Sequence, residues 1–378
     1  MKPALTALLV LISACGPSST STAAHNATTA SPTQSSVTAS PTTEPSAGRL
    51  VVMFGGSPSQ QGQTVSLVDR DGKVIASTTT PAADVEMVPF PGIIGRMGAA
   101  LPTVSTSRRR VYFLSGLTEL HYLGVDGTTG VATTLPNVKG RTQTVFAVSP
   151  DDKQIALAVF DWSQRPMQVT ISVGDLGGGH RVEIFSSTSV YEWPVAWHAG
   201  LLVVAVGTVF AGGPNPYAAV SYHLVDSTNG LRRAALGSPD CQVVGPLVDA
   251  GTACNAVCNG GDVHNPPQGA QGCLDSVDWT GTQRELYRPA ALGTWAALSP
   301  DGTAVLVPQE ALVRSDGSRL TLPSVDTPVV WWVDQDTVSL YGTHLTGTNG
   351  AFYRLSTGRL IPIDDILGWI QGIVPGVS

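Results

Sequence analysis

Seven times between residues 67 and 363 the chain writes the same phrase: an apolar strand, an Asp or Ser, a turn containing Gly, and a second strand. The phrase occurs as LVDRDGKVIAS (67–77), LGVDGTTGVATTL (123–135), SVGDLGGGHRVEIF (172–185) and HLVDSTNGLRRAAL (223–236). It returns as SVDWTGTQRELY (276–287), VRSDGSRLTL (313–322) and YRLSTGRLIPI (353–363). Measured at Asp69, Asp126, Asp175, Asp226, Asp278, Asp316 and Ser356, the intervals are 57, 49, 51, 52, 38 and 40 residues. The Asp or Ser supplies a side-chain bond to the turn backbone, and the Gly supplies the permissive φ that a tight hairpin needs. A period of this length with room for four strands defines an all-β chain, a seven-bladed β-propeller of four-stranded antiparallel blades. The abundance of Gly (41) and Pro (27) with only 13% charged residues agrees, because many short strands need many tight turns.

A second near-repeat, FAVSPDDKQIALAV (146–159) and AALSPDGTAVLV (296–307), falls between the first and second strands of blades three and six. Pro presets φ for the turn, Asp bonds its own backbone, and Gly302 tolerates positive φ. Other blades place HAG, DAG or DQD there. Trp295 to Leu298 and Ala304 to Val307 read as strands buried between blades. Through its Ser-Pro-Asp turns the chain from 49 to 378 resembles TolB and other WD-repeat-like bacterial propellers. That resemblance implies an architecture and not an activity, since the fold hosts scaffolds, receptors and several enzyme classes. The blades are expected at 50–98, 99–142, 143–191, 192–240, 241–293, 294–327 and 328–365. Blade one lacks an innermost strand of its own. The apolar segment 366–374 is expected to supply it by pairing with Leu50 to Phe54, closing the ring and leaving no open sheet edge. The competing expectation is a frayed tail.

The N-terminus reads as an address. MKPALTALLVLISACG has a positive Lys2, an apolar run from Ala4 to Ile12 and small residues before a cysteine. The run Ile12-Ser13-Ala14-Cys15 resembles a bacterial lipobox, which implies a signal peptide at 1–14 and lipid attachment at Cys15. The alternative is an ordinary secretory signal with an incidental cysteine. No other segment has 18 consecutive apolar residues, so membrane attachment through an acyl anchor on the extracytoplasmic face is expected. Residues 17–48 contain 8 Ser, 8 Thr, 6 Ala and 4 Pro in 32 positions. Such a segment buries too little apolar surface to order itself and reads as a tether with a mean span of about 30 Å.

The net charge of −7, with no basic block, argues against a nucleic-acid or acidic-membrane surface. Of 21 basic residues only Lys2, Lys73, Lys139 and Lys153 are lysines. Cys241, Cys254, Cys258 and Cys273 all fall in blade five, and an even count in an exported domain reads as two disulfides. Cys254 and Cys258, four apart on an extended strand, are roughly 13 Å apart and do not bond each other. The other two connectivities stay open, and a zinc site using these thiols with His264 is the alternative. Neither His-Glu-x-x-His, Gly-x-Ser-x-Gly nor Gly-x-Gly-x-x-Gly occurs. No cofactor or metal is expected; Asp151-Asp152 and Asp364-Asp365 read as turn residues.

Loop length carries the functional expectation. Connections between second and third strands are long at 55–63, 161–166, 207–217, 259–272 and 342–350, and share one face with the blade-to-blade connections, including 79–98. The opposite face has only tight turns. Long loops on a rigid scaffold are where binding groups usually sit. The candidate binding face is therefore Asp161, Trp162, Arg165, Phe210, Asn215, Tyr217, His264, Asn265 and His344. The expected function is a lipid-anchored module that binds a protein, peptide or glycan. The alternatives are a propeller enzyme of hydrolase or lyase type, with a central-funnel site using Asp161, Arg165, His264 or His344, and a propeller that only spaces or stabilises an envelope complex.

Overall fold

The computed structural model describes residues 49–55, 62–84, 104–207, 219–263, 265–290, 295–307, 311–323, 327–341, 350–363 and 369–376. Within them the chain forms seven four-stranded antiparallel sheets and no helix. Blade one holds β1 (Leu50–Gly55), β2 (Gly62–Val68) and β3 (Val74–Pro81). Blade two holds β4 (Val104–Thr106), β5 (Arg110–Ser115), β6 (Glu119–Gly124) and β7 (Thr129–Thr134). Blade three holds β8 (Thr142–Val148), β9 (Gln154–Asp161), β10 (Gln168–Asp175) and β11 (Val182–Ser187). Blade four holds β12 (Tyr191–His198), β13 (Leu201–Gly207), β14 (Ser221–Val225) and β15 (Arg232–Leu236). Blade five holds β16 (Cys241–Val243), β17 (Thr252–Val257), β18 (Gly272–Val277) and β19 (Gln283–Ala290). Blade six holds β20 (Ala297–Leu298), β21 (Ala304–Val307), β22 (Ala311–Arg314) and β23 (Arg319–Leu320). Blade seven holds β24 (Thr327–Trp332), β25 (Thr337–Tyr341), β26 (Gly350–Arg354) and β27 (Arg359–Pro362).

The last strand, β28 (Trp369–Val374), does not extend blade seven. It pairs antiparallel with β1, Leu50 opposite Val374 and Phe54 opposite Trp369, so the first sheet has the order β28-β1-β2-β3. The expected closure is therefore present, with the strand starting at Trp369; the expected positions 366–368 lie outside the described residues. Val374 is 1% exposed, and Ile370 and Ile373 are half-buried. The frayed-tail alternative is overturned, because an apolar strand beside an unpaired edge gains both burial and a hydrogen-bonded ladder.

The core lies between blades. Leu50, Val52, Val65 and Leu67 of blade one pack with Val111, Phe113 and Leu123 of blade two. Tyr112 and Leu114 meet Phe146, Ile155 and Leu157 of blade three. Blades three, four and five share one larger cluster around Phe160, Trp193, Trp197 and Tyr222. Further layers join five to six, six to seven, and seven to one, the last through Val333, Phe352 and Ile361 against Val51 and Met53. Alternation explains the pattern: successive side chains of a strand face opposite neighbouring blades, so both sets must be apolar. Trp197 of blade four adds an indole N–H bond to the Ala147 carbonyl of blade three at 3.2 Å, and Trp332 repeats this on Ala297 of blade six at 3.0 Å.

The repeated turns behave as their chemistry dictates. The Ser149 hydroxyl donates to Asp151 Oδ1 at 2.7 Å and accepts the Gln154 N–H at 2.9 Å. Ser299 makes the same two bonds to Asp301 and from Ala304, at 2.7 and 2.9 Å. In the third-to-fourth turns Asp126, Asp226, Asp278 and Asp316 each accept the N–H two residues on, at 2.8–3.1 Å. Two expectations need correction. Ser356 does not cap its own turn; its N–H and hydroxyl both donate to the Asp336 carboxylate of the neighbouring turn, at 2.7 Å each. The expected strand from Trp295 to Leu298 is only the two residues of β20, with Trp295 packed at the edge of the six–seven cluster.

Candidate binding face and central channel

First-to-second turns and third-to-fourth turns are tied together within blades. Leu176 N–H reaches the Lys153 carbonyl at 2.7 Å, Ser315 that of Thr303 at 2.8 Å, and Leu355 that of Asp336 at 2.8 Å. Trp279 Nε1–H donates to the Asp249 carbonyl at 2.8 Å, and His198 stacks on the Trp279 ring at 3.9 Å across the four–five seam. These turns therefore share one end of the propeller, the plain end. The connections between second and third strands and between blades leave from the opposite, elaborated end. β1 starts and β28 finishes at the plain end, since Leu50 faces Val374 and the Gly376 N–H bonds the Ser107 carbonyl of a first-to-second turn at 3.2 Å.

A cavity of about 170 Å³ opens in the central channel. Its wall comes from the innermost strands of several blades: Val104 to Thr106, Val195 and Ala196, Trp331 and Trp332, and Gln371 to Ile373, with Pro246 to Asp249 of blade five. Arg49 sits at its plain-end mouth, ion-paired with Asp249. Burial lowers the Arg49 pKa from its ordinary value, and the nearby Asp334 carboxylate acts in the opposite direction. The guanidinium thus ties the start of blade one to a turn of blade five. The lining is mostly apolar, and Ser105 Oγ is committed to the Val148 N–H at 2.8 Å. Such a chamber accommodates a few waters or a small apolar group.

Of the expected face residues, Phe210, Asn215, Tyr217, His264 and His344 lie outside the described residues. Asp161 ends β9, and Trp162 and Arg165 fall in the β9–β10 connection of blade three, at the elaborated end. Asp161 Oδ1 accepts the Ser163 N–H at 2.9 Å and its hydroxyl, and these bonds, the hydroxyl's first, hold the carboxyl below the usual range. Trp162 is half-buried, its ring 6.4 Å from that of Phe160 and nearly parallel to it, so it extends the blade-three core to the surface. Arg165 and Asn265 are exposed, and the Asn265 N–H bonds the Asp262 carbonyl at 3.2 Å within the blade-five loop.

A polar pair that the sequence reading missed lies in blade four. Glu192, 8% exposed, meets His223 Nδ1 at 3.3 Å from the second strand over. Both sit among apolar neighbours, and no local motif marks a pair separated by 31 residues. In blade five the four cysteines form Cys241–Cys254 and Cys258–Cys273 disulfides, with Cα separations of 5.3 and 5.0 Å. Cys258 lies just beyond β17 rather than on it. Asp275 carries a carboxylate oxygen within 4.8 Å of the Cys241 and Cys254 sulfurs. Disulfide sulfurs are not thiolates, so these cysteines offer no zinc ligands.

No family model and no curated sequence matches the chain. Solved structures do resemble it. An oligogalacturonate lyase in complex with manganese is 13% identical, with 81% of this chain and 85% of that chain covered and a TM-score of 0.50. An oligogalacturonate lyase from Vibrio parahaemolyticus is 9% identical, with 80% and 90% covered and a TM-score of 0.45. The β-propeller domain of the Trilobed protease from Pyrococcus furiosus, described as having an open velcro topology, is 12% identical, with 83% and 85% covered and a TM-score of 0.41. At these identities the likeness is one of fold, and the fold is a seven-bladed β-propeller.

Proposed function

We propose that the protein is a lipid-anchored, extracytoplasmic propeller that binds a protein, peptide or glycan through its elaborated end. The anchor reading rests on Ile12-Ser13-Ala14-Cys15 and the Ser/Thr/Ala/Pro tether, and the Ser-Pro-Asp turns support a TolB-like ancestry. The observation that carries the binding reading is where the propeller begins. Arg49, the first described residue, belongs to the plain end, so the chain enters the ring at the end opposite the one from which its long loops leave. Long loops carried on a rigid ring are where binding groups usually sit.

Two measurements test this. Cys15→Ser should move the protein from the membrane fraction to the soluble or culture fraction; retention would remove the anchor. Photo-crosslinking residues placed at Arg165 and Asn265 should capture the binding partner in intact cells, whereas one at Arg359 on the plain end should not. Crosslinks from Arg359 alone would overturn the assignment of the binding end.

A further inference from the structure

The innermost strands of the ring are not all regular, and the irregular ones meet at one place. β4, β8, β12, β16, β20, β24 and β28 are the inner edges of the seven sheets. β4, β8, β16 and β20 pair with the next strand residue for residue. β12, β24 and β28 each slip register. In β12 Val195 has no partner between Pro194 and Ala196, and in β28 Gln371 has none between Ile370 and Gly372. In β24 the slip falls between Thr327 and Trp331. Val195, Gln371 and Trp331 all stand in the wall of the channel cavity of about 170 Å³, whereas β8, β16 and β20 place no residue in it. An extra residue bends a strand and re-aims its side chains, and bulges of this kind recur beside functional sites. Three register slips around one chamber give it its shape.

The lining sets the chemistry. Val104, Val195, Leu247, Ile373 and the Trp331 ring make most of the wall apolar. A cavity of ~150 Å³ with aliphatic and aromatic walls stays dry and takes up benzene. A flat ring would gain area against Trp331 that water does not. The wall also holds uncommitted hydrogen-bonding groups. Gln371 and Thr106 are half-buried, and neither the carboxamide nor the hydroxyl makes a hydrogen bond among the described residues. The mouth has no spare charge, because Arg49 is partnered by Asp249. A charged ligand would lose hydration there without meeting an opposite charge, while a neutral one loses little.

We infer that this chamber is a binding site for a small neutral ring compound bearing one hydroxyl, a ligand of the size and class of phenol. The ring fills the apolar part, and the hydroxyl meets Gln371 and Thr106. Such a ligand touches blades one, two, four, five and seven together, so its binding strengthens the closed ring, the β28–β1 seam included. The site is independent of the anchor and of the loops at the elaborated end.

The test titrates phenol, toluene, benzoate and benzylammonium onto the full chain, read by ligand-detected NMR and calorimetry. Phenol should bind saturably and raise the thermal midpoint, and toluene should bind more weakly. Benzoate and benzylammonium should bind at least about tenfold more weakly than phenol. Val195→Phe, which fills the chamber, should abolish phenol binding. Gln371→Leu combined with Thr106→Val, which keeps the volume, should weaken phenol about tenfold, the worth of one hydrogen bond, and leave toluene unchanged. The double substitution keeps the test decisive if the circular dichroism melt shows that Val195→Phe does not fold. Absence of saturable phenol binding, or phenol binding that survives Val195→Phe in a folded protein, would overturn the inference. So would an affinity for either charged probe equal to that for phenol, or phenol binding indifferent to the double substitution.

Discussion

Removing residues 369–378 deletes the strand that closes the ring, and the structure sets the size of the effect. Five residue pairs join β28 to β1, from Leu50–Val374 to Phe54–Trp369. At about 1 kcal/mol net per hydrogen bond, the ladder is worth on the order of 4–5 kcal/mol. Burial of Val374 adds about 1.5–3 kcal/mol, and β1 is left with an open edge whose Val51 and Val52 are fully buried in the intact ring. The combined loss, roughly 6–8 kcal/mol, is comparable with the whole stability of a typical domain, about 5–15 kcal/mol. For a propeller of this length that corresponds to a fall in Tm of about 9 °C or more, if the truncated chain still melts cooperatively. The measurement is a thermal melt by circular dichroism, with size-exclusion chromatography for association through the exposed edge. Val374→Ala, which keeps the ladder and removes two methyl groups from a buried site, should cost only about 1–2 kcal/mol. A truncation that melts within 2–3 °C of the full chain, as a monomer, would refute the reasoning.

Three further outcomes are expected. Non-reducing peptide mapping should link Cys241 to Cys254 and Cys258 to Cys273, and replacing the second pair by Ser, which opens a 15-residue loop, should cost about 2–4 kcal/mol. Gly245→Ala should be among the most damaging single substitutions, by several kcal/mol in denaturant unfolding, because its Cβ would lie 1.8 Å from the Ala296 carbonyl oxygen at the five–six seam; Gly317→Ala, with open space around it but φ of +82°, should cost about 1 kcal/mol. Turn hydrogen bonds hold the Asp126, Asp278 and Asp316 carboxyls below their ordinary value. The stability they lend is present above the unfolded value near ~3.9 and is lost as pH falls below it, so urea midpoints should hold from pH 7 to 5 and drop by pH 3.

The architecture was legible because its determinants are local and repeated. Each Asp–Gly or Ser-Pro-Asp turn carries its own chemistry within four or five residues, and seven copies at a fixed period leave one plausible assembly. Closure was legible for a related reason. A chain with three strands in its first blade and one apolar segment left over has a single economical place to put it. Disulfide pairing was legible only to the point of excluding Cys254–Cys258. The remaining choice is not a matter of direct register, since Cys241 and Cys273 both flank Ala256 and each bond runs diagonally, Cys241 to Cys254 and Cys273 to Cys258. Ser356 shows where local reasoning stops: its hydrogen bonds go to Asp336, 20 residues away, because two turns of one blade share an end.

The gathering of arginines around the plain-end turns escaped the sequence reading because no local pattern marks it. No run of basic residues exceeds the three of Arg108, Arg109 and Arg110, so a search for a basic block finds nothing, and the net charge points the other way. Antiparallel blades convert a period along the chain into a position in space. Every third-to-fourth turn returns to one end, so a residue type that recurs near those turns accumulates there however far apart its copies lie in sequence. Arg70 and Arg359 are 289 residues apart in sequence yet stand in and beside third-to-fourth turns of adjoining blades, and Arg354, which ends β26, pairs with Asp71 of the blade-one turn. In a ring of repeats charge is therefore to be counted per end rather than per segment, and in this chain arginines collect around the turns of the end at which β1 starts.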